Sequence, residues 1–278
     1  MTAVGIVGPG RAGVGFGLAL SRAGHQVVLH GRRPKHLPIP LELTWGEAPP
    51  WLPSVDVVLL AVPDDTVRDV AAAVAETGAV TAQHTVLHVS GVLDHLVLDP
   101  LAPTGAALGS LHPFQTLADP LDAPQRLDGA TAAVEGMPEA VEVATTLARS
   151  VGLRPITISR EHKVVYHAAA VFASNHLVVL AGMAEELLQD AGLSQAQARE
   201  AIGSLMAGAL ENVRRGGPAP ALTGPVVRGD LETVRKHLAA LPEEAVRVYR
   251  SMALAALRLA ELRPERRQAI EAELSTNN

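Results

Sequence analysis

The stretch Ala3-Val4-Gly5-Ile6-Val7-Gly8-Pro9-Gly10-Arg11-Ala12-Gly13 joins a short apolar run to a glycine-rich turn with G-x-G-x-x-G spacing. Residues 11–23 have the pattern of a helix, and residues 26–30 that of a second strand. In such a turn the first glycine permits the bend, the second lets backbone amides approach a diphosphate, and the third allows helix and strand to pack closely. The turn therefore predicts a dinucleotide site. Its expected contacts are Gly8, Pro9, Gly10, Arg11, Ala12 and Gly13. The alternative is a glycine-rich turn that binds no ligand.

Strand-like and helix-like segments continue to alternate after this start. Further strands are predicted at residues 41–45, 57–62, 85–89, 107–111, 130–134 and 154–159. Six prolines between residues 31 and 54 argue against an ordinary crossover helix there. Repeated strand and helix units favour a doubly wound, mostly parallel sheet of the Rossmann type.

The pattern changes after residue 159, where helical periodicity replaces the strand-like runs. Helices are predicted at residues 162–191, 195–214, 230–240 and 242–262. We therefore expect two domains, a nucleotide-binding Rossmann domain at residues 1–159 and a smaller all-helical domain at residues 160–278.

Composition narrows the classes of function. The chain has 278 residues, a net charge of −6 and no cysteine, which argues against a nucleic-acid partner, disulfides and thiolate metal sites. Its histidines and carboxylates lack a fixed ligand spacing, so no metal is expected. No signal peptide is recognised, and we expect a cytoplasmic protein. Residues 164–184 are apolar but include His167, Ser174 and Asn175, which favours a buried helix over a membrane span.

The sequence after the second strand predicts which dinucleotide is bound. It reads His30-Gly31-Arg32-Arg33, where an NAD enzyme would place an acidic residue on the ribose. Arg32 and Arg33 could bind a 2′-phosphate, and with no carboxylate in that segment NADP(H) is the expected cofactor. The alternative is that both arginines are solvated, Arg33 more readily than Arg32. A second cofactor contact is predicted at Val62, Pro63 and Asp64, which follow the next strand.

Four polar residues are the candidates for chemistry. His112 lies at the end of a predicted strand and is our first candidate for the proton donor in a reduction. Ser90 is expected to hold a substrate oxygen. On a helical wheel His167, Lys163 and Ser174 share a stripe flanked by Asn175, which either binds substrate or forms a purely structural network.

Several motifs in order resemble a Rossmann-like family whose C-terminal half is a domain of unknown function of the 2520 type. They are GPGRAG at residues 8–13, AVPDD at 61–65, HVSG at 88–91, SLHPFQT at 110–116, YHAAAVFASN at 166–175 and LTGPVVRGD at 222–230. The family is similar to the ketopantoate reductases, pyrroline-5-carboxylate reductases, prephenate dehydrogenases and β-hydroxyacid dehydrogenases. This resemblance implies a helical second domain that is often used to form homodimers.

The resemblance also bears on the candidate residues. The pairing of Ser90 with His112 is similar to that in prephenate dehydrogenases and implies that His112 carries a proton. The β-hydroxyacid dehydrogenases place a catalytic lysine one turn before an asparagine. Here Asn175 matches that asparagine, but Val171 stands in the lysine position, and His167 is the residue that could replace it.

These observations lead to three hypotheses. The first is an NADPH-dependent reductase of a small carbonyl compound that bears a carboxylate, with a ketopantoate-like 2-oxo acid as the leading substrate. The second is a reductase of a cyclic imine of the pyrroline-5-carboxylate type. The third is a regulatory protein that senses NADPH without catalysis.

Overall fold

The computed structural model describes residues 1–34, 36–37 and 39–275. The chain forms two compact units, Met1–Asn175 and His176–Asn278. The first unit reaches beyond residue 159, where we expected the Rossmann domain to end. It includes a helix whose first turns are held to the sheet by Lys163 and Tyr166.

Within the described residues the first unit contains one sheet of eight strands. They are β1 Ala3–Val7, β2 Gln26–Gly31, β3 Glu42–Trp45, β4 Val57–Leu60, β5 Thr85–His88, β6 Ala107–Pro113, β7 Thr131–Gly136 and β8 Arg154–Thr157. Their order is β3-β2-β1-β4-β5-β6-β7-β8, and every neighbouring pair is parallel except β6 and β7. The predicted doubly wound, mostly parallel sheet is confirmed.

Helices cover both faces of this sheet. They are α1 Arg11–Arg22, α2 Val67–Glu76, α3 Ala123–Leu127 and α4 Pro138–Ser150. One face buries Val14 and Phe16 of α1, and the other buries Leu98 and Leu101 of the segment His95–Thr104. That segment is a 3₁₀ helix and contains Pro100 and Pro103, which lack the N–H that an α-helix needs.

The connection between β2 and β3 contains no helix in its described residues, as its prolines predicted. Trp51 instead packs on β1. A Cβ at Gly5 would lie 2.0 Å from Cζ3 of Trp51, so this contact requires a glycine. Because β3 is parallel to β2, residues 46 and 47 come to the same edge of the sheet as Gly31 and Arg32.

The helix predicted at residues 162–191 is interrupted. It forms α5 Lys163–Ala173 and α6 Asn175–Asp190, because Ser174 between them has non-helical angles of φ −124° and ψ −67°. The Ser174 hydroxyl donates to the carbonyl of Ala170 at 2.7 Å, a bond that often bends helices. The single long helix was therefore a wrong prediction.

The described residues of the second unit, which end at Ser275, form helices joined by short connections. After α6 come α7 Gln195–Gly216, α8 Pro218–Ala221, α9 Pro225–Arg228, α10 Leu231–Ala240, α11 Glu243–Leu257 and α12 Pro264–Ser275. Ser194 and Gln197 form a capping box at the start of α7, and Asp230 caps α10 as its position before an apolar run predicts. The segment α12 was not predicted, and α11 ends earlier than expected.

The apolar stretch at residues 164–184 is not buried within this chain. Val165 and Val178 are 69% and 71% exposed, so our expectation of a buried helix was wrong. By length and composition alone, Arg160–Asp190 is the one stretch of the described residues that could cross a membrane.

Candidate functional site

The glycine turn leaves open space in front of its central residue. Gly8 has φ +106°, and a Cβ there would lie 2.3 Å from the carbonyl oxygen of Ala61. A Cβ at Gly13 would lie 2.0 Å from the carbonyl oxygen of Gly8, whereas a Cβ at Gly10 would have no neighbour within 4 Å. Gly8 and Gly13 are thus required by the fold, while Gly10 is required only if a ligand approaches.

The amides that follow Gly10 begin α1. Gly10 is the N-cap residue and provides no side-chain cap, and the first turn, with Arg11 and Ala12, contains no acidic residue. Such a helix N-terminus carries a partial positive charge from its unpaired N–H groups. The turn and helix therefore fit a diphosphate, as the sequence predicted.

A cleft of about 440 Å³ brings five of the eleven predicted cofactor residues together. Its lining includes Gly8, Pro9, Arg32, Val62 and Pro63. These residues follow β1, β2 and β4, three parallel strands whose carboxyl ends meet at one edge of the sheet. The predicted cofactor residues from three parts of the sequence thus share one cleft.

The other six predicted cofactor residues do not line this cleft, and four of them, Gly10, Arg11, Ala12 and Gly13, lie at the start of α1. Arg33 lines an adjoining cleft together with Arg32, and Asp64 begins the 3₁₀ turn Asp64–Thr66. Glu47 lines the main cleft beside Arg32. We expected no carboxylate near the arginines, and Glu47 corrects that expectation because β3 returns it to the same edge.

A row of polar side chains crosses the neighbouring strands β5, β6 and β7. His88 of β5 is in register with Ser110 of β6, and Ser110 is in register with Glu135 of β7. All three are buried. Ser110 Oγ donates to Glu135 Oε2 at 3.1 Å. Buried polar groups must be paired, so this row needs a partner of opposite charge for the carboxylate.

Lys163 supplies that positive charge. Its side chain is 0% exposed, and its Nζ donates to Ser110 Oγ at 2.7 Å and to the carbonyl of Ser90 at 3.2 Å. Glu135 Oε2 lies 4.0 Å away. Burial lowers the pKa of Lys163 to about 8, and Glu135 opposes this shift. At neutral pH Lys163 is therefore mainly an ammonium ion that is removed from water.

Two histidines lie beside this charge. The rings of His112 and His167 are 5.9 Å apart, and a Cβ at Gly91 would lie 2.8 Å from His112 Nε2 and 2.5 Å from His167 Cδ2. His112 Nδ1 is 3.1 Å from the hydroxyl of Tyr166. Gly91 thus allows the Ser90-Gly91 bend to lie directly against both rings.

The charge state of His112 differs from that of an ordinary histidine. Its pKa is lowered to about 4, first by burial, then by Lys163 and by His167. Burial and Lys163 likewise lower the pKa of His88 to about 3. Both rings are therefore neutral at pH 7, and the positive charge of the cluster resides on Lys163.

The predicted catalytic residues are only partly brought together. Ser90, His112 and His167 lie around Gly91 and Lys163, and Ser90 Oγ accepts the backbone N–H groups of its own loop. Asn175 accepts a hydrogen bond from Ser174 at 2.9 Å, beyond the break that ends the predicted stripe.

Sequence reasoning missed three members of the cluster. Lys163 was noticed in the stripe but given no role of its own, although it is buried. Glu135 and His95 had no predicted role, and Glu135 Oε1 is hydrogen-bonded to His95 Nδ1. The signal that could have pointed to Glu135 is its place within β7, directly after the fully buried residues 132–134.

The two neutral histidines predict a loss of stability in mild acid. Between pH 6.5 and 5 the unfolded chain binds protons at His88 and His112 that the folded chain does not, so the free energy of unfolding falls as pH falls. Each should contribute about 1 kcal/mol per pH unit. The free energy of unfolding of His112→Gln, measured in urea, should fall less steeply with decreasing pH than that of the parent protein. Thr146→Ala, which changes an exposed residue of α4, should keep the parent dependence on pH. Equal slopes for His112→Gln and the parent would contradict the assignment.

Comparisons with known proteins agree with this architecture. Two family models match, the Rossmann-like domain at residues 51–113 and the domain of unknown function DUF2520 at residues 130–256. No curated protein matches the sequence.

Solved structures with the same fold cover almost the whole chain. Protein TM1727 from Thermotoga maritima is 22% identical over 92% of this chain and 98% of its own, with a TM-score of 0.65. The candidate NADP oxidoreductase BF3122 from Bacteroides fragilis is 19% identical over 92% and 97%, with a TM-score of 0.74. Plasmodium falciparum pyrroline carboxylate reductase with NADP bound is 13% identical over 98% and 95%, with a TM-score of 0.62. The predicted resemblance is confirmed by these family-model matches, to the Rossmann-like domain at residues 51–113 and to DUF2520 at residues 130–256.

Proposed function

We propose that the protein is an NADP(H)-dependent reductase of a small carbonyl compound that bears a carboxylate, with a ketopantoate-like 2-oxo acid as the leading substrate. One observation carries the proposal. The glycine cleft and the cluster around Lys163 both lie at the carboxyl ends of parallel strands of one sheet, β1 and β4 for the cleft and β5 and β6 for the cluster. In doubly wound sheets this edge is where cofactor and substrate meet.

The cleft is suited to an NADP molecule. The amides of Gly10 to Ala12 would hold the diphosphate, and Arg32 would bind the 2′-phosphate while Val62 and Pro63 pack beside it. A bound NADPH supplies a hydride to the substrate carbon. The names of the similar proteins from B. fragilis and P. falciparum, which include NADP, support this choice.

The cluster is suited to a carboxylate and a polarised oxygen. Lys163 places an ammonium group beneath the Ser90-Gly91 bend, where its local field would favour an anionic substrate although Glu135 balances its charge. Nδ1 of His112 is engaged by Tyr166, and its Nε2, which lies against Gly91, would contact a substrate oxygen held at this bend. Lys163 is the proton reservoir of the site, since it is charged at neutral pH and His112 is not. Asn175 is not one of the residues that we propose to contact the substrate.

A cyclic imine is the second candidate substrate. A protonated imine carries its own proton into the site, so its reduction does not require an acidic histidine, and the neutral His112 agrees with that. The similar fold of the P. falciparum pyrroline carboxylate reductase favours the same reaction.

The test is calorimetry with NADPH followed by NADPH oxidation across a panel of 2-oxo acids and cyclic imines. We expect binding, and turnover with one of the two classes. Lys163→Met and His112→Gln should each lower kcat by about 10² to 10⁴. Tight binding without turnover on either class would favour an NADPH-sensing protein. No binding would overturn the proposal.

The cofactor preference is tested by a pair of variants with equal charge change. Arg32→Asp should reverse the preference towards NAD(H), because a carboxylate repels the 2′-phosphate and binds the ribose hydroxyls. Arg33→Asp should have a smaller effect, since Arg33 lines only the adjoining cleft. Binding constants for both cofactors measure the ratio. An unchanged ratio in Arg32→Asp would contradict the assignment of Arg32.

We further propose that the helical unit forms a homodimer. No residue of α6 is buried, and only Ala198 and Ile202 of α7 are. Val178 and Leu205 are 71% and 76% exposed, which leaves apolar surface of the kind that marks protein interfaces. The family resemblance favours a second copy of this chain as the partner.

Light scattering after gel filtration tests the dimer. The combined Val178→Glu and Leu205→Glu variant should be a monomer, because two charges would be buried without partners at the interface. Lys236→Glu, which changes an exposed polar residue of the same unit, should remain a dimer. A monomeric parent protein would refute the proposal.

A further inference from the structure

A continuous chain of polar contacts leads from Lys163 to a histidine that the proposed reaction does not use. Lys163 Nζ donates to Ser110 Oγ at 2.7 Å, and Ser110 Oγ donates to Glu135 Oε2 at 3.1 Å. Glu135 Oε1 is paired with His95 Nδ1. The His95 side chain is 22% exposed, whereas that of Lys163 is fully buried. The chain therefore connects the interior of the sheet with solvent.

We propose that Ser110, Glu135 and His95 form a proton relay that exchanges the proton of Lys163 with solvent. The proposal rests on the proposed reductase function, because each reduction consumes one proton. A fully buried amine that supplies protons repeatedly must be reprotonated by a path through the protein. We call Lys163, Ser110, Glu135 and His95 the relay residues.

The relay moves one proton inwards for each proton that Lys163 gives up. The neutral amine accepts the hydroxyl proton of Ser110, and Ser110 takes a proton from the carboxyl group of Glu135. Glu135 has received that proton from His95 Nδ1–H, and a half-turn of its carboxyl group carries the proton from Oε1 to the oxygen that faces Ser110. His95 takes up a solvent proton at Nε2 as it gives Nδ1–H to Glu135, so one proton enters for each proton that Lys163 loses and the charge balances.

The other charged and titratable groups around Lys163 do not provide such a path. Asp94 and Asp64 raise its pKa through space. The ring of His88 is used by the backbone on both sides, since Nδ1 accepts the N–H of Ser90 and Nε2 lies 3.2 Å from the carbonyl of Asp94. His112 is held by Tyr166. Among the described residues around Lys163, the path through Glu135 is the one whose consecutive side chains are hydrogen-bonded to each other.

A purely structural role of His95 would have a different signature. Glu135 alone is sufficient to balance the charge of Lys163, and the backbone N–H of His95 already holds Glu135 Oε2 at 3.0 Å. A structural side chain at position 95 needs only to donate one hydrogen bond. A relay needs a group that also releases that proton, which an amide cannot do.

The decisive experiment measures proton exchange at Lys163 without any substrate. In protein with ¹⁵N-labelled lysine, NMR gives the rate at which the Lys163 ammonium hydrogens exchange with water. His95→Asn keeps a donor for Glu135 but cannot pass the proton on, and it should slow exchange by about tenfold or more. Glu135→Gln should slow it similarly. His162→Ala, next to Lys163 in sequence but outside the relay, should not change it.

Turnover provides the second measurement. In His95→Asn we expect kcat to fall about tenfold with KM unchanged, because the relay acts on proton supply and not on substrate binding. Imidazole added to His95→Ala should restore both the exchange rate and kcat, which a lost structural contact would not allow. Thermal unfolding of each variant establishes that it is folded.

The two proposals fail in different ways. If wild-type protein turns over no substrate while His95→Asn slows exchange at Lys163, the relay stands and the proposed reductase function falls. If His95→Asn exchanges as fast as wild type, or imidazole restores nothing in His95→Ala, the relay is overturned whatever the activity.

Discussion

The burial of the Lys163 ammonium is the interaction on which the site depends. Removing such a charge from water costs several kcal/mol unless an opposite charge and hydrogen bonds compensate it. Here the compensation comes from three strands, through Ser90 after β5, Ser110 on β6 and Glu135 on β7. The polar row in an otherwise apolar sheet face is therefore a direct consequence of placing one lysine beneath it.

One charge also determines the state of its neighbours. Because His88 and His112 are buried and lie near the positive charge of Lys163, their pKa values are lowered and both rings remain neutral. Protonated rings at His88 and His112 would repel the Lys163 ammonium, and their neutral state avoids this repulsion. The charge is therefore on Lys163, whereas the rings of His112 and His167 pack against the bend. Gly91 must lack a side chain because both rings lie directly against it.

The parts of the fold that depend on nearby residues could be predicted from the sequence. The β1 strand, the glycine turn and α1 follow from periodicity and glycine spacing within a few residues, and their bounds agree with the structure. Glu135 could not be predicted, because the reason for a buried glutamate lies in Lys163, which is distant in sequence. The break at Ser174 also escaped, since an apolar helical pattern continues through it and a single serine hydroxyl decides the outcome. The helix α12 was not predicted because its apolar residues show little helical periodicity.

Charged side chains are buried in the first unit, and large apolar side chains are exposed in the second. Each of these two departures from the usual pattern has its own reason. Inside the first unit, Lys163 and Glu135 are buried as a pair, and the proposed reaction accounts for this because it requires charge where water is excluded. On α6 and α7, Val178 and Leu205 are exposed, which costs free energy in water unless another surface covers them. Neither arrangement is explained by the stability of an isolated chain. Both are explained if the sequence is selected for a reaction in one unit and for association through the other.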